Sequence, residues 1–594
     1  MSSIASTLFG LGMDAASLLA SLIITSVDSA TRTRGGKSWK VNEAFEKIAS
    51  YGLMPNMIFY LMKGYHMELA RASSILLFWA ATSNSMSIVG AFLSDSYMGR
   101  FHVIALGSIS SLVGTTLLWL TTMIPHFKPL PCDQFFQKCN PPTPLQLVLL
   151  FSSFGFISIG AGCIRPCSIA FGADQLAKRE NPRNERALQS YFNWYYASIG
   201  VSTIFAFTVL VYVQDQFGWK VGFGLPVILM FCSAFMFLLG SSLYIKVKPS
   251  NSLLTGFIQV LVVAFKNRKL DFPTSNNNEY YFHGDDSNLL APTNKLRFLN
   301  KACIANDFER DKRLDGSASD AWRLCTIGQV ESLKALLRVF PIWSTGIVIL
   351  LSLHQHSFLT LQANTMDRHL TSNFQIPAAS FTGFYLLSIT LWVVIYDRIM
   401  LPLLAKHTGK PRGLSTKTRM GMGLLISCAA MALAATVESK RRRMAIEEGY
   451  EENPRGVINM SAMWLVPQLA LLGLAEAFNA IGQIEFYYSK FPKSMSSIAV
   501  AIFTLEMSVG NLVASLMVNT VNRVTEKDGK TSWLSTNLNK GHLDYYYWLI
   551  TTLGVLNFGY FIFCCWIYGP TDEQNTLESG EEEKRSAYRD LPSS

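Results

Sequence analysis

Charge is scarce in this sequence. Asp, Glu, Lys and Arg make up 15% of its 594 residues, while 50% of the residues are hydrophobic. Soluble domains carry about 25% charged residues, so the shortage excludes an ordinary soluble protein and predicts an all-α polytopic membrane protein. The net charge of +10 requires no nucleic-acid partner, because basic loops facing the cytosol produce such an excess.

The residue patterns of catalysis and metal binding are also missing. The ten cysteines include no pair separated by two residues, so neither a zinc site nor a thioredoxin-type centre is indicated. Because no nucleophile, metal-ligand cluster or phosphate-binding loop occurs at the predicted cytosolic surface, we expect neither an enzyme nor a cofactor. Cys132 and Cys139 share one polar loop, which predicts a disulfide if that loop is extracytosolic.

Long apolar runs take the place of these features. A membrane-spanning helix needs about 20 mostly apolar residues. Candidate spans lie near 41–63, 73–95, 101–123, 145–171, 190–214, 221–245, 337–361, 378–399, 418–437, 460–484, 496–520 and 544–567. Two equal sets around a hydrophilic stretch predict two six-helix bundles that move against each other.

These spans divide the chain into five predicted parts. The bundles occupy 41–245 and 336–567, and the cytosolic linker occupies 246–335. The polar tail 568–594 is predicted to be disordered and cytosolic. The first forty residues form the fifth part.

The orientation follows from the basic loops. Lys and Arg are concentrated in four stretches that we place in the cytosol, at 99–100, 178–186, 246–335 and 397–419. The basic run 440–443 then falls outside, against the rule. Within the linker, apolar residues 257–265 followed by Lys266, Arg268 and Lys269 predict an interfacial helix.

The first forty residues repeat a later part of the chain. Residues 1–39 and 495–533 are identical at 17 of 39 positions without a gap. We interpret 1–40 as an anomalous copy of the eleventh span, joined from a neighbouring duplicated gene. Either a genome event or a faulty gene model would produce this junction. No basic region precedes its apolar stretch, so a signal peptide is not indicated.

A cluster of ionisable residues opens the first span. Glu43, Glu46 and Lys47 are three or four residues apart and share one helix face. Charges in a low dielectric are costly and need a partner or a watery cavity. The cluster is either a snorkelling cap or a proton site, in which two carboxylates beside a cation share one proton.

Several short strings occur in order at corresponding spans of one protein family. They lie at residues 42–52, 90–100, 160–175, 192–196, 366–368, 396–398 and 473–477. They resemble the plant nitrate/peptide transporter family, within the proton-coupled oligopeptide transporters of the major facilitator superfamily. The resemblance covers about 41–567, is greatest to the branch with vascular low-affinity nitrate carriers, and implies the major facilitator fold.

The resemblance also implies roles for the buried charges. In the family the first-span glutamates carry the coupling proton and a basic residue tunes them, which assigns these roles to Glu43, Glu46 and Lys47. Arg165 and Glu476 lie in the fourth and tenth spans. We expect them to form an inter-bundle ion pair that closes in one state and opens in the other, because a lone buried charge is expensive. Alternatively, each faces water in the cavity.

Asp95 and Arg100 lie at the turn between the second and third spans. In facilitators such a turn latches the two halves through charge and helix-dipole contacts that break during rocking. The alternative is a plain solvated turn.

The substrate site is less clearly indicated. Nitrate recognition in one branch of the family rests on a seventh-span histidine, which aligns here with Ser352 or Leu353. His354 and His356 are two apart and point about 200° apart on a helix, so at most one faces the cavity. The cavity-lining candidates are Tyr51, Tyr195, Tyr196, Trp343, Ser352, His354, His356 and Gln483. Aromatic residues in membrane helices are more often packing or belt residues.

Together these features predict a proton-coupled symporter of the plasma membrane that imports nitrate or a related small solute by alternating access. Its partners are protons, the substrate and the lipid bilayer. Three alternatives remain: a carrier of peptides, hormones or other organic solutes, a nutrient sensor that does not transport, and a channel with a ring of glutamates.

Overall fold

The architecture is seen in a computed structural model that describes most of the chain. The described residues are 38–132, 139–176, 195, 198–247, 253–270, 272, 281–282, 292–304, 320, 322–372, 374–408, 414–491, 495–527 and 530–568. The side chains of 38–43 and of a few other helical residues lie outside this description. The copied segment as far as residue 37, and the predicted tail from residue 569, also lie outside it.

Long helices form the N-terminal half. They are α1 (Ser38–Phe59), α2 (Leu69–Leu93), α3 (Arg100–Met123), α4 (Pro144–Leu176) and α5 (Val211–Leu239). Short π-helical turns extend α1 at Tyr60–Gly64 and α2 at Ser94–Met98, and another precedes α5 at Ala206–Leu210. Positive φ at Gly99 (76°) lets the chain turn sharply from α2 into α3.

The fifth and sixth spans meet inside one helical stretch, Ser198–Ser242. Gly218 interrupts it with φ 76° and ψ 179°, a conformation that glycine adopts at little cost. Beyond this break Gly222 comes back against Gln214, where an added Cβ would lie 2.9 Å from the Gln214 Cα atom. The stretch therefore holds two spans that are joined by a very short turn.

The linker contributes α6 (Leu253–Lys266) and two 3-10 turns, Asn267–Lys269 and Arg297–Cys303. It leads into the first long helix of the C-terminal half, which starts with a capping box. The Thr326 hydroxyl accepts from the Gln329 backbone, and the Gln329 side chain accepts from the Thr326 backbone. This reciprocal pair satisfies amide groups that a helix start leaves open.

The C-terminal half is again built from long helices. They are α7 (Ile327–Leu353), α8 (His356–Asn364), α9 (Thr382–Ile395), α10 (Leu401–Thr408), α11 (Thr416–Glu447), α12 (Val466–Lys490), α13 (Ser496–Thr525) and α14 (Leu543–Tyr568). The break between α7 and α8 lies inside the predicted seventh span. Ten helical stretches of the described residues are long and apolar enough to cross a membrane, and one of them, Ser198–Ser242, holds two of the predicted spans. With α1 at the first predicted span, the described helices match two six-helix bundles around a linker.

Four short strands lie opposite the linker end of the C-terminal half. They are β1 (Met366–Asp367), β2 (His369–Thr371), β3 (Phe374–Gln375) and β4 (Ile458–Ser461). β1 and β4 pair in parallel, with Met366 opposite Ile458, and β2 and β3 form an antiparallel pair. We call the face of the molecule that carries these strands the far side, and the opposite face the linker side.

The two halves meet along α2 and α13, from the far side toward the middle. Ser74 and Ser515 share a 2.7 Å hydrogen bond between their hydroxyls, and Ser85 and Ser508 share one of 2.6 Å. The Ser508 hydroxyl also donates to the Ala81 carbonyl at 2.9 Å. Small side chains allow this close approach, and hydroxyl pairs of this kind link helices in membranes. These bonds hold the two halves together on the far side in this conformation.

A buried ion pair explains the presence of Arg441 in the basic run 440–443 on the far side. Arg441 and Glu438 are fully buried on α11, and the Arg441 Nε atom lies 2.7 Å from the Glu438 Oε2 atom. Arg441 donates a further bond of 2.8 Å to the Asn539 Oδ1 atom. Because α11 continues to Glu447 beyond the predicted limit of the span at 437, at least this member of the run is a structural residue rather than a loop charge.

Candidate functional site

Glu46 and Lys47 are buried on α1, in the N-terminal half. The Lys47 Nζ atom lies 3.3 Å from the Glu46 Oε2 atom, and the Ser50 hydroxyl donates to Glu46 Oε1 at 2.7 Å. Only 1% of Glu46 is exposed, so its carboxylate is held by partners and not by bulk water. The snorkelling alternative, which needs an exposed head group, does not describe this pair. The Glu43 side chain lies outside the described residues.

Arg165 of α4 faces the same helix. Its guanidinium carbon lies 5.8 Å from the centre of the Tyr51 ring, one residue beyond Ser50, and the guanidinium interacts electrostatically with Glu46. The predicted cavity residue Tyr51 is thus a neighbour of this cation. The N-terminal half brings one carboxylate and two cations together on facing helices.

The C-terminal half carries a second acidic site, centred on Glu506 of α13. Glu506 is 2% exposed, and its carboxylate accepts from the Gln483 side-chain amide at 2.7 Å and from the Tyr487 hydroxyl at 3.0 Å. A narrow cavity borders it, lined by Ile349, Leu350, Leu353, Glu476, Asn479, Ala480, Gln483, Phe503, Glu506 and Met507. Gln483 was a predicted cavity residue, and the structure places it at this wall.

Glu476 lies on the same cavity, but it does not contact Arg165. Its Oε2 atom is buried and accepts no hydrogen bond from the described residues. The two side chains form no ion pair in this conformation. The predicted pair closes only in one state of the cycle, so it stays a prediction.

Arg100 bonds to a partner that the sequence interpretation did not name. Its Nη1 atom donates to both carboxylate oxygens of Asp174, at 2.8 and 2.6 Å, whereas its Nε atom lies 3.8 Å from Asp95. Asp95, Arg100 and Asp174 all belong to the N-terminal half. In this conformation the contact therefore braces α2, α3 and α4 against one another instead of bridging the two halves.

The two histidines correct one assumption of the sequence interpretation. A continuous helix would place His354 and His356 on opposite faces, but α7 ends at Leu353 and α8 begins at His356. Their ring centres are 6.3 Å apart, and the His356 ring also packs on Tyr385 at 5.3 Å. The helix break brings the rings together, so the premise of a continuous helix does not hold here, and neither histidine lines the cavity beside Glu506.

The remaining candidates are spread over the molecule. Ser352 is buried in α7, and the Trp343 indole donates to the Ile502 carbonyl at 3.0 Å. Tyr195 packs in an apolar cluster with Phe101, among others, and Tyr196 lies outside the described residues. Ser352, Trp343 and Tyr195 therefore have packing positions, and none of these three lines the cavity beside Glu506.

Cys132 and Cys139 are joined by a disulfide on the far side, with their Cα atoms 5.8 Å apart. Among the described residues, no three His, Cys, Asp or Glu side chains are grouped closely enough to hold a metal ion.

Sequence reasoning missed Glu506, although the signal was present. An acidic residue in the middle of a predicted span is a functional candidate by default, and the same criterion selected Glu476. The copied segment carries Gly12 at the position equivalent to Glu506, at the constant offset of 494 residues. The copy therefore lacks the acidic group that characterises the eleventh span.

Two six-helix bundles that enclose buried ionisable side chains define the class of this protein. It is a polytopic membrane transporter with the major facilitator fold.

Comparison with known proteins identifies the family. A family model described as the POT family matches residues 101–534. The chain is 52% identical over 539 residues to Protein NRT1/ PTR FAMILY 1.2 of Arabidopsis thaliana, which covers 90% of this chain and 89% of that protein. It is 50% identical over 566 residues to Protein NRT1/ PTR FAMILY 1.1 of the same plant, which covers 93% and 96%.

A solved structure agrees with this fold. The POT family transporter PepTSo superposes with a TM-score of 0.67 at 19% identity, over 91% of this chain and 99% of that chain. The chain therefore belongs to the POT family, whose members are proton-coupled membrane transporters and not enzymes.

Proposed function

We propose that this transporter is a symporter of the plasma membrane that imports nitrate or a related small anion together with protons, by alternating access. The observation that carries the proposal is the buried Glu46, which pairs with Lys47 and Ser50, while Arg165 packs on the Tyr51 ring nearby. A buried carboxylate with adjustable cationic neighbours can take up a proton on one side of the membrane and release it on the other.

The anion requires this proton. Moving one negative charge inward against a negative-inside potential costs about 2.3 kcal/mol per 100 mV. More than one proton per anion makes the net charge moved positive, so the potential then drives import. Protonation of Glu46 would also release Lys47 and Arg165 from its negative charge, and these cations would then attract an anion to the N-terminal wall.

Glu476 supplies the link to the second half. When the linker side closes, the approach of α4 to α12 would let Arg165 reach the Glu476 Oε2 atom, which accepts no hydrogen bond from the described residues in this conformation. An anion bound to Arg165 competes with that contact, so binding and closure depend on each other. This exchange of partners is the expected core of the alternating-access cycle.

The test is Glu46→Gln, which keeps the size and removes the titration. Currents and nitrogen-15 nitrate uptake are measured in oocytes at about pH 5.5 and about pH 7.5, with surface expression quantified for each variant. We expect the acid-driven current to disappear, whereas exchange of nitrate across the membrane, which needs no net proton movement, continues.

Glu485→Gln is the matched control. Glu485 lies on α12, its side chain is 51% exposed, and it pairs with Arg419 within the same half. We expect its pH dependence to match that of the wild type. Acid-driven currents that persist in Glu46→Gln at the wild-type level would exclude Glu46 as the proton carrier.

A zwitterionic organic solute, such as a small peptide, is a second candidate. Glu476 and Glu506 place two carboxyl groups on one cavity, in the half opposite Arg165. Ionised carboxylates repel nitrate but attract an ammonium group, while Arg165 would hold a carboxylate. Uptake of a labelled dipeptide that nitrate does not inhibit, and that Glu506→Gln abolishes, would favour this substrate class.

A further inference from the structure

The linker helix α6 exposes an apolar face that no described residue covers. Phe257, Val260, Val263 and Ala264 are buried in the protein core. Ile258, Leu261 and Phe265, three and four residues apart on another face, are 53%, 49% and 67% exposed. The helix is therefore apolar on the side that faces away from the protein as well as on the side that packs.

The length and place of α6 put this face at the edge of the bilayer. Its 14 residues extend about 21 Å, too short to cross a hydrocarbon core of about 30 Å. Gly256 packs on Gln329, whose backbone belongs to the first turn of α7. An apolar helix at the end of the spans lies in the interface and not in the cytosol.

A basic patch follows the apolar face directly. Lys266, Arg268 and Lys269 are exposed, and the Arg268 guanidinium carbon lies 4.4 Å from the centre of the Phe265 ring. Lys301 donates to the Arg268 carbonyl at 2.7 Å, which fixes this turn on the second part of the linker. The segments 253–269 and 292–304 contain no acidic residue, and the nearest one along the chain is Asp271, so three bases stand against one acid at this end of α6.

We propose that α6 binds an acidic phospholipid of the leaflet on the linker side. Its acyl chains lie along Ile258, Leu261 and Phe265, and its anionic head group is held by Lys266, Arg268 and Lys269. Anionic lipids are concentrated in the cytosolic leaflet, which is the side that the basic loops predict for the linker. The site is separate from the cavity beside Glu506 and does not depend on the transported substrate.

The experiment uses the full chain in nanodiscs of phosphatidylcholine with a minor fraction of phosphatidylserine. Photoactivatable analogues of the two lipids are cross-linked in parallel samples, and the modified peptides are identified by mass spectrometry. We expect cross-links on the exposed face of α6, with phosphatidylserine enriched over its share of the bilayer.

The triple variant Lys266→Gln/Arg268→Gln/Lys269→Gln tests the head-group contact. Each base near an anionic surface contributes about fivefold to partitioning, so enrichment on α6 should fall at least about fivefold. Arg443→Gln/Lys527→Gln/Lys530→Gln is the control, because it removes three exposed bases from the far side. Thermal unfolding monitors folding, and Lys269→Gln alone replaces the triple variant if that variant unfolds.

Three outcomes would overturn the proposal. They are cross-linking of α6 without preference for phosphatidylserine, an equal loss in the far-side control, and chain-to-chain cross-links in place of lipid. Displacement of the phosphatidylserine by a soluble inositol phosphate would reassign the basic patch to a cytosolic anion. Cross-linking is measured without substrate, so a finding that the protein does not transport nitrate would leave the cross-linking result unchanged.

Discussion

Gly346 of α7 is the most sensitive position at the acidic site of the C-terminal half. A Cβ atom added there would overlap the Oε1 atom of Glu506 and the side-chain nitrogen of Gln483. Both atoms take part in the 2.7 Å hydrogen bond that holds the Glu506 carboxylate. Gly346→Ala therefore tests whether the position of this carboxylate matters, without changing any ionisable group.

Three contributions determine the free-energy cost of Gly346→Ala. Overpacking of a filled interior costs about 1–3 kcal/mol. Displacing Glu506 weakens its bonds to Gln483 and Tyr487, and side-chain hydrogen bonds within membranes contribute about 0.6 kcal/mol each on average. Replacing a helical glycine by alanine returns about 1 kcal/mol. The net loss is about 1–3 kcal/mol at the site, which corresponds to roughly a 5- to 150-fold effect.

The assay is nitrogen-15 nitrate uptake in oocytes at about pH 5.5, normalised to the transporter at the surface. Gly328→Ala provides the control, since it makes the same change in the same helix and an added Cβ meets only the Thr326 hydroxyl, at 3.8 Å. We expect uptake to fall at least about fivefold in Gly346→Ala and to stay near wild type in Gly328→Ala. Equal uptake in both variants would refute a role for the Glu506 position.

Three further predictions concern the rest of the fold. Arg441→Met leaves the carboxylate of Glu438 buried without its cation, so the free energy of unfolding should fall by about 3–5 kcal/mol; an unchanged midpoint in thermal unfolding of the purified protein contradicts this. Arg100→Lys keeps the charge but loses the contact with both oxygens of Asp174, so the free energy of unfolding should fall by about 1 kcal/mol. Thermal unfolding also measures this loss, and Arg100→Gln should lose at least as much. Burial raises the pKa of the Cys303 thiol to about 12, so at pH 8 the thiol is neutral and should resist iodoacetamide until the protein is denatured. Rapid labelling of Cys303 in the native protein, detected by mass spectrometry, would disprove this prediction.

The sites were predictable only in part. Glu46 and Lys47 could be selected because ionisable residues stand out in an apolar span, and Glu506 satisfies the same criterion. The histidine pair could not be interpreted correctly, because the break between α7 and α8 depends on packing. Asp174 could not be assigned to Arg100 because it lies 74 positions later in the chain.

The sequence by itself determined the class and the architecture of this protein. Runs of apolar residues long enough to span a bilayer, in two sets of six around a polar linker, leave little choice of fold. Backbone groups in a bilayer must pair within helices or within a closed barrel, and continuous apolar runs of about 20 residues have the length of helices. Tertiary structure decided which charges meet. The Arg100–Asp174 pair, the separation of Arg165 from Glu476, and the exposed apolar face of α6 depend on how helices distant in sequence pack, and periodicity along one helix does not contain that information.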